Sequence, residues 1–258
     1  MANIINVSKL GSLDIIRIEN KFDEIYLIDK NTNVEIINSN VTIIDVTKNG
    51  NVNINVNKDS VLKYFILLSQ NTDRIFDVFG NVNVISVSLD ETQEMINVNL
   101  LYENAEFNLK RLVYSDNFKS NFIYYVDHKN KSTFSNIENV GIASNGAKIL
   151  FDVTGKIESG MAKSKCSQLS KGILMDDESV INAKPILLID EYDCFANHGA
   201  SIGKMSDEAL FYMRSRGLTK EDAFFLIVSG IINPYIDSIP DEKYKEEISK
   251  RLSNLIKG

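Results

Sequence analysis

Apolar and polar residues alternate with a period of two through much of the first 184 positions. In Asn51-Val52-Asn53-Ile54-Asn55-Val56-Asn57 the aliphatic side chains fall on one face and the asparagines on the other, as a half-buried strand requires. Similar short stretches occur at Val34-Glu35-Ile36, Val41-Thr42-Ile43-Ile44, Asn81 to Val87 and Asn97 to Leu100, then at Phe122 to Val126, Ala147 to Val153 and Ile186 to Ile189. They recur about every 8 to 15 residues, with Asn, Gly, Asp or Ser between them, a spacing that fits a sandwich, a barrel or a solenoid. No amphipathic helix of useful length separates them, which argues against a βαβ sheet. Asparagine tolerates the left-handed backbone of tight corners and stacks in ladders, which favours a solenoid. A biased genomic base composition accounts for the asparagines equally well, and the repeat has no clean period. The pattern alone leaves solenoid and sandwich open.

Beyond residue 203 the period changes. Ser206 is expected to cap a helix with Asp207 and Glu208 in its first turn, running through Ala209, Leu210, Phe211 and Met213 to Gly217. Thr219-Lys220-Glu221-Asp222 resembles a capping box that opens a second helix over Ala223, Phe224, Leu226 and Ile227, with Gly230 as its expected end. A third helix is expected from near Pro240, with Tyr244, Ile248, Leu252 and Leu255 on one face. All three prolines lie after position 184. The reading divides the chain into a β core over 1–203 and a helical domain over 204–258.

Composition narrows the function. A formal charge of −7, with no dense basic stretch, argues against nucleic acid or an anionic membrane as partner. No apolar run approaches the roughly 20 residues of a membrane span, and Met1 to Asn6 lacks the pattern of a signal peptide. Two cysteines, Cys166 and Cys194, suit a reducing compartment, so a cytoplasmic protein is expected. Two cysteines and two histidines are too few and too scattered for a zinc motif. The phosphate-binding loop Gly-x-x-x-x-Gly-Lys-Ser/Thr is missing, as are Gly-x-Ser-x-Gly and His-Glu-x-x-His. No nucleotide is expected on this chain, and no enzyme activity.

One ordered set of residues carries a resemblance. Asn197-His198-Gly199-Ala200-Ser201-Ile202-Gly203, then Asp207 to Tyr212 and Met213-Arg214-Ser215-Arg216-Gly217-Leu218, then Glu221-Asp222-Ala223-Phe224-Phe225-Leu226-Ile227, resemble the C-terminal signature of the SufB/SufD family. Upstream, Pro185 to Ile189 is similar to that family's Pro-x-Leu-x-Ile strand, and Gln168 stands where the family has Gln before an apolar run. Asp127-His128 and Val140-Gly141-Ile142 extend the likeness into the β body. His198 followed by Gly199 resembles the SufD branch, and the SufB-type sulfur-carrying cysteine would fall near Leu169, from which Cys166 is offset.

The resemblance implies a right-handed parallel β-helix followed by a small helical domain. It implies a scaffold that pairs with a SufB-like paralogue, or with a second copy of itself, and docks a SufC-like ATPase on its helical tail. The cofactor implied is a nascent iron–sulfur cluster or iron, held transiently at a subunit interface. His198 is the expected metal ligand, with Cys194 as a second cluster-binding candidate, since imidazole and thiolate both bind iron. Cys194 precedes His198 by four residues, an even spacing that puts both on one face of an extended segment. Cys166 is a candidate sulfur carrier; a buried inert thiol is the plain alternative. His128, beside Lys129 and Lys131, is expected at the surface. Asp190, Glu191 and Asp193 form an acidic turn, and carboxylates there suggest a second function: a solenoid carbohydrate-active enzyme using Asp190 and Asp193. Arg214 and Arg216 are expected to face a partner or complement a helix end.

Overall fold

A computed structural model describes residues 4–7, 15–205 and 207–257. In chain order its strands are β1 (Ile4–Asn6), β2 (Ile16–Glu19), β3 (Phe22–Ile28), β4 (Thr32–Ile37), β5 (Asn40–Asp45) and β6 (Asn49–Val56). Next come β7 (Val61–Leu67), β8 (Asn71–Val78), β9 (Asn81–Ser88), β10 (Gln93–Leu100), β11 (Glu106–Asp116) and β12 (Lys119–His128). The last are β13 (Phe134–Ser144), β14 (Lys148–Ile157), β15 (Lys165–Leu174), β16 (Val180–Ile189) and β17 (Phe195–Lys204). Three helices follow: α1 (Asp207–Ser215), α2 (Lys220–Asp237) and α3 (Glu242–Lys257).

Successive strands alternate between two parallel sheets. The odd strands stack in order from β1 to β17 and the even strands from β2 to β16. Each pair of strands is one coil of a flattened solenoid, and its inward side chains stack in register on those of the next coil. This resolves the choice between stacked coils and a sandwich that the alternation left open. The coils also explain the irregular period, because they widen along the axis. In-register partners are 18 residues apart at Ile16 and Val34, 22 at Ile54 and Phe76, and 32 at Gly155 and Leu187.

The asparagines work at both positions expected of them. Asn20, Asn38, Asn104, Asn117 and Asn145 hold corners at positive φ, where few other side chains are tolerated. Others form ladders between coils: Asn38 Nδ2 donates to Asn20 Oδ1 at 2.7 Å, and Asn53 Nδ2 to Asn33 Oδ1 at 2.7 Å.

Two cores result. One fills the solenoid, with Ile36, Ile54, Phe76, Phe107, Phe122 and Phe151 among its members. The other lies on the outer face of the odd-strand sheet, where Ile44, Phe65, Leu112 and Tyr114 meet Val228, Ile232, Ile236, Ile248 and Leu252 of α2 and α3. Each aliphatic side chain buried there contributes about 1.5–3 kcal/mol, so the helices are packed onto the β body. Arg251 of α3 also pairs with Asp90, and Tyr114 Oη donates to the Leu255 carbonyl at 3.4 Å.

The helix ends follow local chemistry. Thr219 Oγ1 accepts from the Asp222 amide at 3.0 Å, as a helix N-cap does. Asp241 caps α3 through the Tyr244 amide at 3.0 Å. The cap expected at Ser206 lies outside the described residues. One expectation is corrected: α2 runs seven residues past Gly230 and contains Pro234. A helical glycine costs about 1 kcal/mol, which is outweighed because Ile232 and Ile236, beyond it, are buried against the sheet. Gly230 is the residue whose carbonyl Pro234, lacking an N–H, leaves without its usual helical donor.

Candidate functional site

The solenoid ends abruptly. β16 is the last strand of one sheet and β17 of the other, and each has a strand on one side only among the described residues. Their outer edges therefore carry unpaired backbone donors and acceptors, a template for another chain. Apolar side chains accumulate at this end: Leu188 is 49% exposed, Phe195 58% and Ile186 40%.

His198 stands on β17 in register with Gln168 of β15. Gln168 is buried and inward-facing, so parallel register places His198 on the same interior side. It is exposed only because no coil follows. The sequence-predicted histidine is thus the terminal member of an interior row: Tyr64, Val84, Leu109, Ile137, Gln168 and His198.

Cys194 lies in the turn between β16 and β17. Its Sγ–H donates to the Glu191 carbonyl at 3.1 Å. Partial burial, then the Glu191 and Asp193 carboxylates, push its thiol above the ordinary value. Cys166 sits one coil back, in register with Ala196, and is buried. Burial raises its pKa too, against the hydrogen bonds of Ser135 and Gln168. Neither thiol is disulfide-bonded, and both remain protonated at neutral pH in this environment. Opposite Cys166, a Cβ on Gly155 would lie 2.4 Å from Sγ, so the sulfur fills space that only glycine leaves.

The acidic turn is held by backbone amides, one of its own and one from the turn a coil before it. Glu191 accepts from the Gly160 amide at 2.8 Å and the Asp193 amide at 3.0 Å; these bonds lower its pKa. Asp190 and Asp193 are exposed. Among the described residues no group of three or more His, Cys, Asp and Glu is placed to hold a metal ion.

His128 is corrected from surface to core. It closes β12 facing inward, with Nδ1 2.7 Å from Thr133 Oγ1 and Nε2 2.9 Å from Ser135 Oγ. Burial pushes its pKa down to about 4. Its lysine neighbours misled because Lys129 and Lys131 belong to the turn that follows.

The helical tail has its own exposed face. Phe211 is 75% exposed, and Arg216 Nη2 donates to Tyr212 Oη at 3.0 Å. Phe211, Arg214, Ser215, Gly217, Leu218 and Thr219 line one surface hollow there.

Sequence reasoning missed a buried charge network. Arg74 donates from Nε to Asp45 at 2.8 Å and from Nη1 to Glu94 at 2.6 Å, and Glu94 also receives Arg111. Tyr64 Oη donates to Asp45 at 2.7 Å. Burial alone would lower the pKa of Arg74, but Asp45 and Glu94 hold it above the ordinary value. Two cations face two anions, so the network is neutral, as burial demands. The available signal was charge at inward positions, as in Thr72-Asp73-Arg74-Ile75-Phe76.

The family model of the SUF system FeS cluster assembly, SufBD core domain, matches residues 19–231. The iron–sulfur cluster assembly protein SufD of Bacillus subtilis (strain 168) is 33% identical over 137 residues, 53% of this chain and 31% of that protein. An iron–sulfur cluster assembly SufBD family protein of Staphylococcus haemolyticus is 31% identical over 133 residues, 51% of this chain and 28% of that protein. Another, from Mycobacterium tuberculosis (strain H37Rv), is 29% identical over 131 residues, 51% of this chain and 15% of that protein. The matched stretch spans less than a third of each relative's length.

Proposed function

The chain belongs to the SufBD core family of the SUF iron–sulfur cluster assembly system, and from that premise we propose that it is a non-catalytic, SufD-like scaffold subunit. It pairs through its open solenoid end with a SufB-like paralogue, or with a second copy of itself. The observation that carries this reading is the end itself: two unpaired parallel edges, β16 and β17, fringed with Ile186, Leu188 and Phe195. Edge pairing supplies main-chain hydrogen bonds, and the apolar fringe supplies burial.

In this reading the cluster, or its iron, is cargo. His198 presents one imidazole at the joint, and the partner supplies the remaining ligands. Cys194, four residues earlier, is the second candidate, and its thiol must lose a proton to serve. The division into a β core over 1–203 and a helical domain over 204–258 belongs to the same proposal. The exposed face of α1, with Phe211, Tyr212 and Arg214, docks a SufC-like ATPase. That ATPase carries the nucleotide and drives a shift between open and closed forms of the joint. Free thiols and the absence of a membrane-spanning helix among the described residues support work in the reducing cytoplasm.

The test is capture from the native organism under anaerobic conditions. The tagged chain is expected to co-purify with an ATPase and a SufB-like protein, and a Phe211→Ala variant to lose the ATPase alone. Recovery of neither protein refutes the scaffold reading. For the ligands, cluster loading of the reconstituted complex should fall in His198→Ala; unchanged loading in both His198→Ala and Cys194→Ala removes them as ligands.

A further inference from the structure

One buried oxygen beneath the open end accepts from nothing. Gln168 of β15 is 3% exposed, and its Nε2 donates to the Ile186 carbonyl at 3.2 Å. A carbonyl can only accept, so that bond fixes which end of the amide is nitrogen. Oε1 is the other end, and among the described residues it has no hydrogen-bond partner. Buried acceptors left without a donor are rare, because burial has removed the water that would serve them.

The register says which group stands next to it. Below Gln168 in its inward row is Ile137, which has no side-chain donor, and above it is His198. Cys166 and Ser170, two positions away on the same face of β15, make no bond to Oε1. No strand follows β17 on its far side among the described residues, and His198 is exposed. In that row, the imidazole is the neighbour with both an N–H to give and room to turn.

In-register side chains of this solenoid bond directly from coil to coil. Asn53 Nδ2 donates to Asn33 Oδ1 at 2.7 Å, and Asn99 Nδ2 to Asp77 Oδ1 at 2.7 Å. Inside, Asn139 Nδ2 donates to Ser170 Oγ at 3.3 Å. Histidine Nδ1 lies as many bonds from the backbone as asparagine Nδ2, and glutamine Oε1 lies one bond further than asparagine Oδ1. Gln168 and His198 can span the same step, with Nδ1 as the nitrogen that reaches inward.

We propose that Gln168 is the positioning residue for His198, its Oε1 accepting the Nδ1–H of the imidazole once the ring turns inward. Exposed side chains make such turns within nanoseconds. The Nδ1–H tautomer leaves Nε2 with its lone pair directed out of the open end, toward the joint. Metal-binding histidines are commonly held in this way, by an acceptor on the nitrogen that does not bind. The use of this pairing rests on the reading of His198 as an iron ligand; the hydrogen bond itself needs no metal.

Nitrogen-15 NMR of the metal-free chain at pH 8 reads the tautomer of His198, whose signals are those lost in His198→Ala. The expected result is the Nδ1–H form, the minor one for a histidine open to water. The Nε2–H form, or rapid averaging of the two, overturns the pairing. Gln168→Met removes the acceptor and nearly keeps the volume, so a folded variant should return His198 to mainly Nε2–H. An unchanged Nδ1–H form in that variant overturns the proposal, and if it does not fold the unsubstituted chain's spectrum decides. Ferrous iron affinity of the reconstituted complex tests the use separately. Gln168→Met should weaken it about tenfold or more. Unchanged affinity there, with affinity lost in His198→Ala, overturns the positioning role. Unchanged affinity in His198→Ala refutes the ligand reading instead, while the Nδ1–H form would still establish the pairing.

Discussion

Replacing Arg74 by methionine tests whether the solenoid is held by paired charge at its centre. Arg74 and its partners Asp45 and Glu94 have no exposed side-chain surface. In Arg74→Met, Asp45 keeps the Tyr64 hydroxyl and the Thr47 amide, and Glu94 keeps Arg111. Two carboxylates then face one guanidinium in a dry interior. Removing one partner of a buried ion pair costs about 3–5 kcal/mol, mostly from the stranded charge. Glu94→Gln is expected to cost a similar amount, because it leaves two guanidiniums facing Asp45. The double variant restores charge balance, with Arg111 and Asp45 remaining. Its loss should fall short of the summed single losses by about 2 kcal/mol, within the range measured for neighbours that share a network. Urea denaturation of the four proteins at one pH gives the cycle directly. A loss below about 1 kcal/mol for Arg74→Met, or strict additivity, would show that these charges are not coupled in the core.

Two further outcomes follow. His128 has a folded pKa of about 4 against an ordinary 6.5, so the unfolded chain takes up its proton first as pH falls. Its contribution is intact above pH 6.5 and is lost toward pH 4; about 2 kcal/mol should go between pH 7.5 and 5. Urea midpoints at the two pH values check this, and His128→Gln should flatten the difference. At the Gly155–Cys166 contact, Gly155→Ala should cost about 1–3 kcal/mol through overpacking, and adding Cys166→Ala should recover part of it. No recovery in thermal unfolding would mean the two positions do not touch.

How much the sequence discloses depends on whether the cause is local. Strand alternation at Asn51 to Asn57 is readable because each side chain's fate is set by its own pleat. The helix cap at Thr219 is equally local. The coil period is harder, since the widening from 18 to 32 residues per coil destroys any fixed repeat. The partners of Arg74 lie 20 and 29 residues away, and only the stacking reveals them. His128 was misplaced because the charged turn beside it belongs to the next segment. Gly230 marks a helix end by local preference, yet the apolar face beyond it continues onto the sheet and decides the matter. His198 was singled out by the resemblance; spacing alone gave no reason to set it at the end of an interior row.

Hydrogen–deuterium exchange across residues 180–204, compared between the isolated chain and the complex captured from the native organism, tests most directly whether the last coil is the joint. The account predicts that the outer-edge amides of β16 and β17, those not bonded to β14 and β15, exchange freely alone and become protected in the complex, while β8 and β10 stay unchanged. Protection confined to the helical tail, with β16 and β17 as exposed as before, would contradict it.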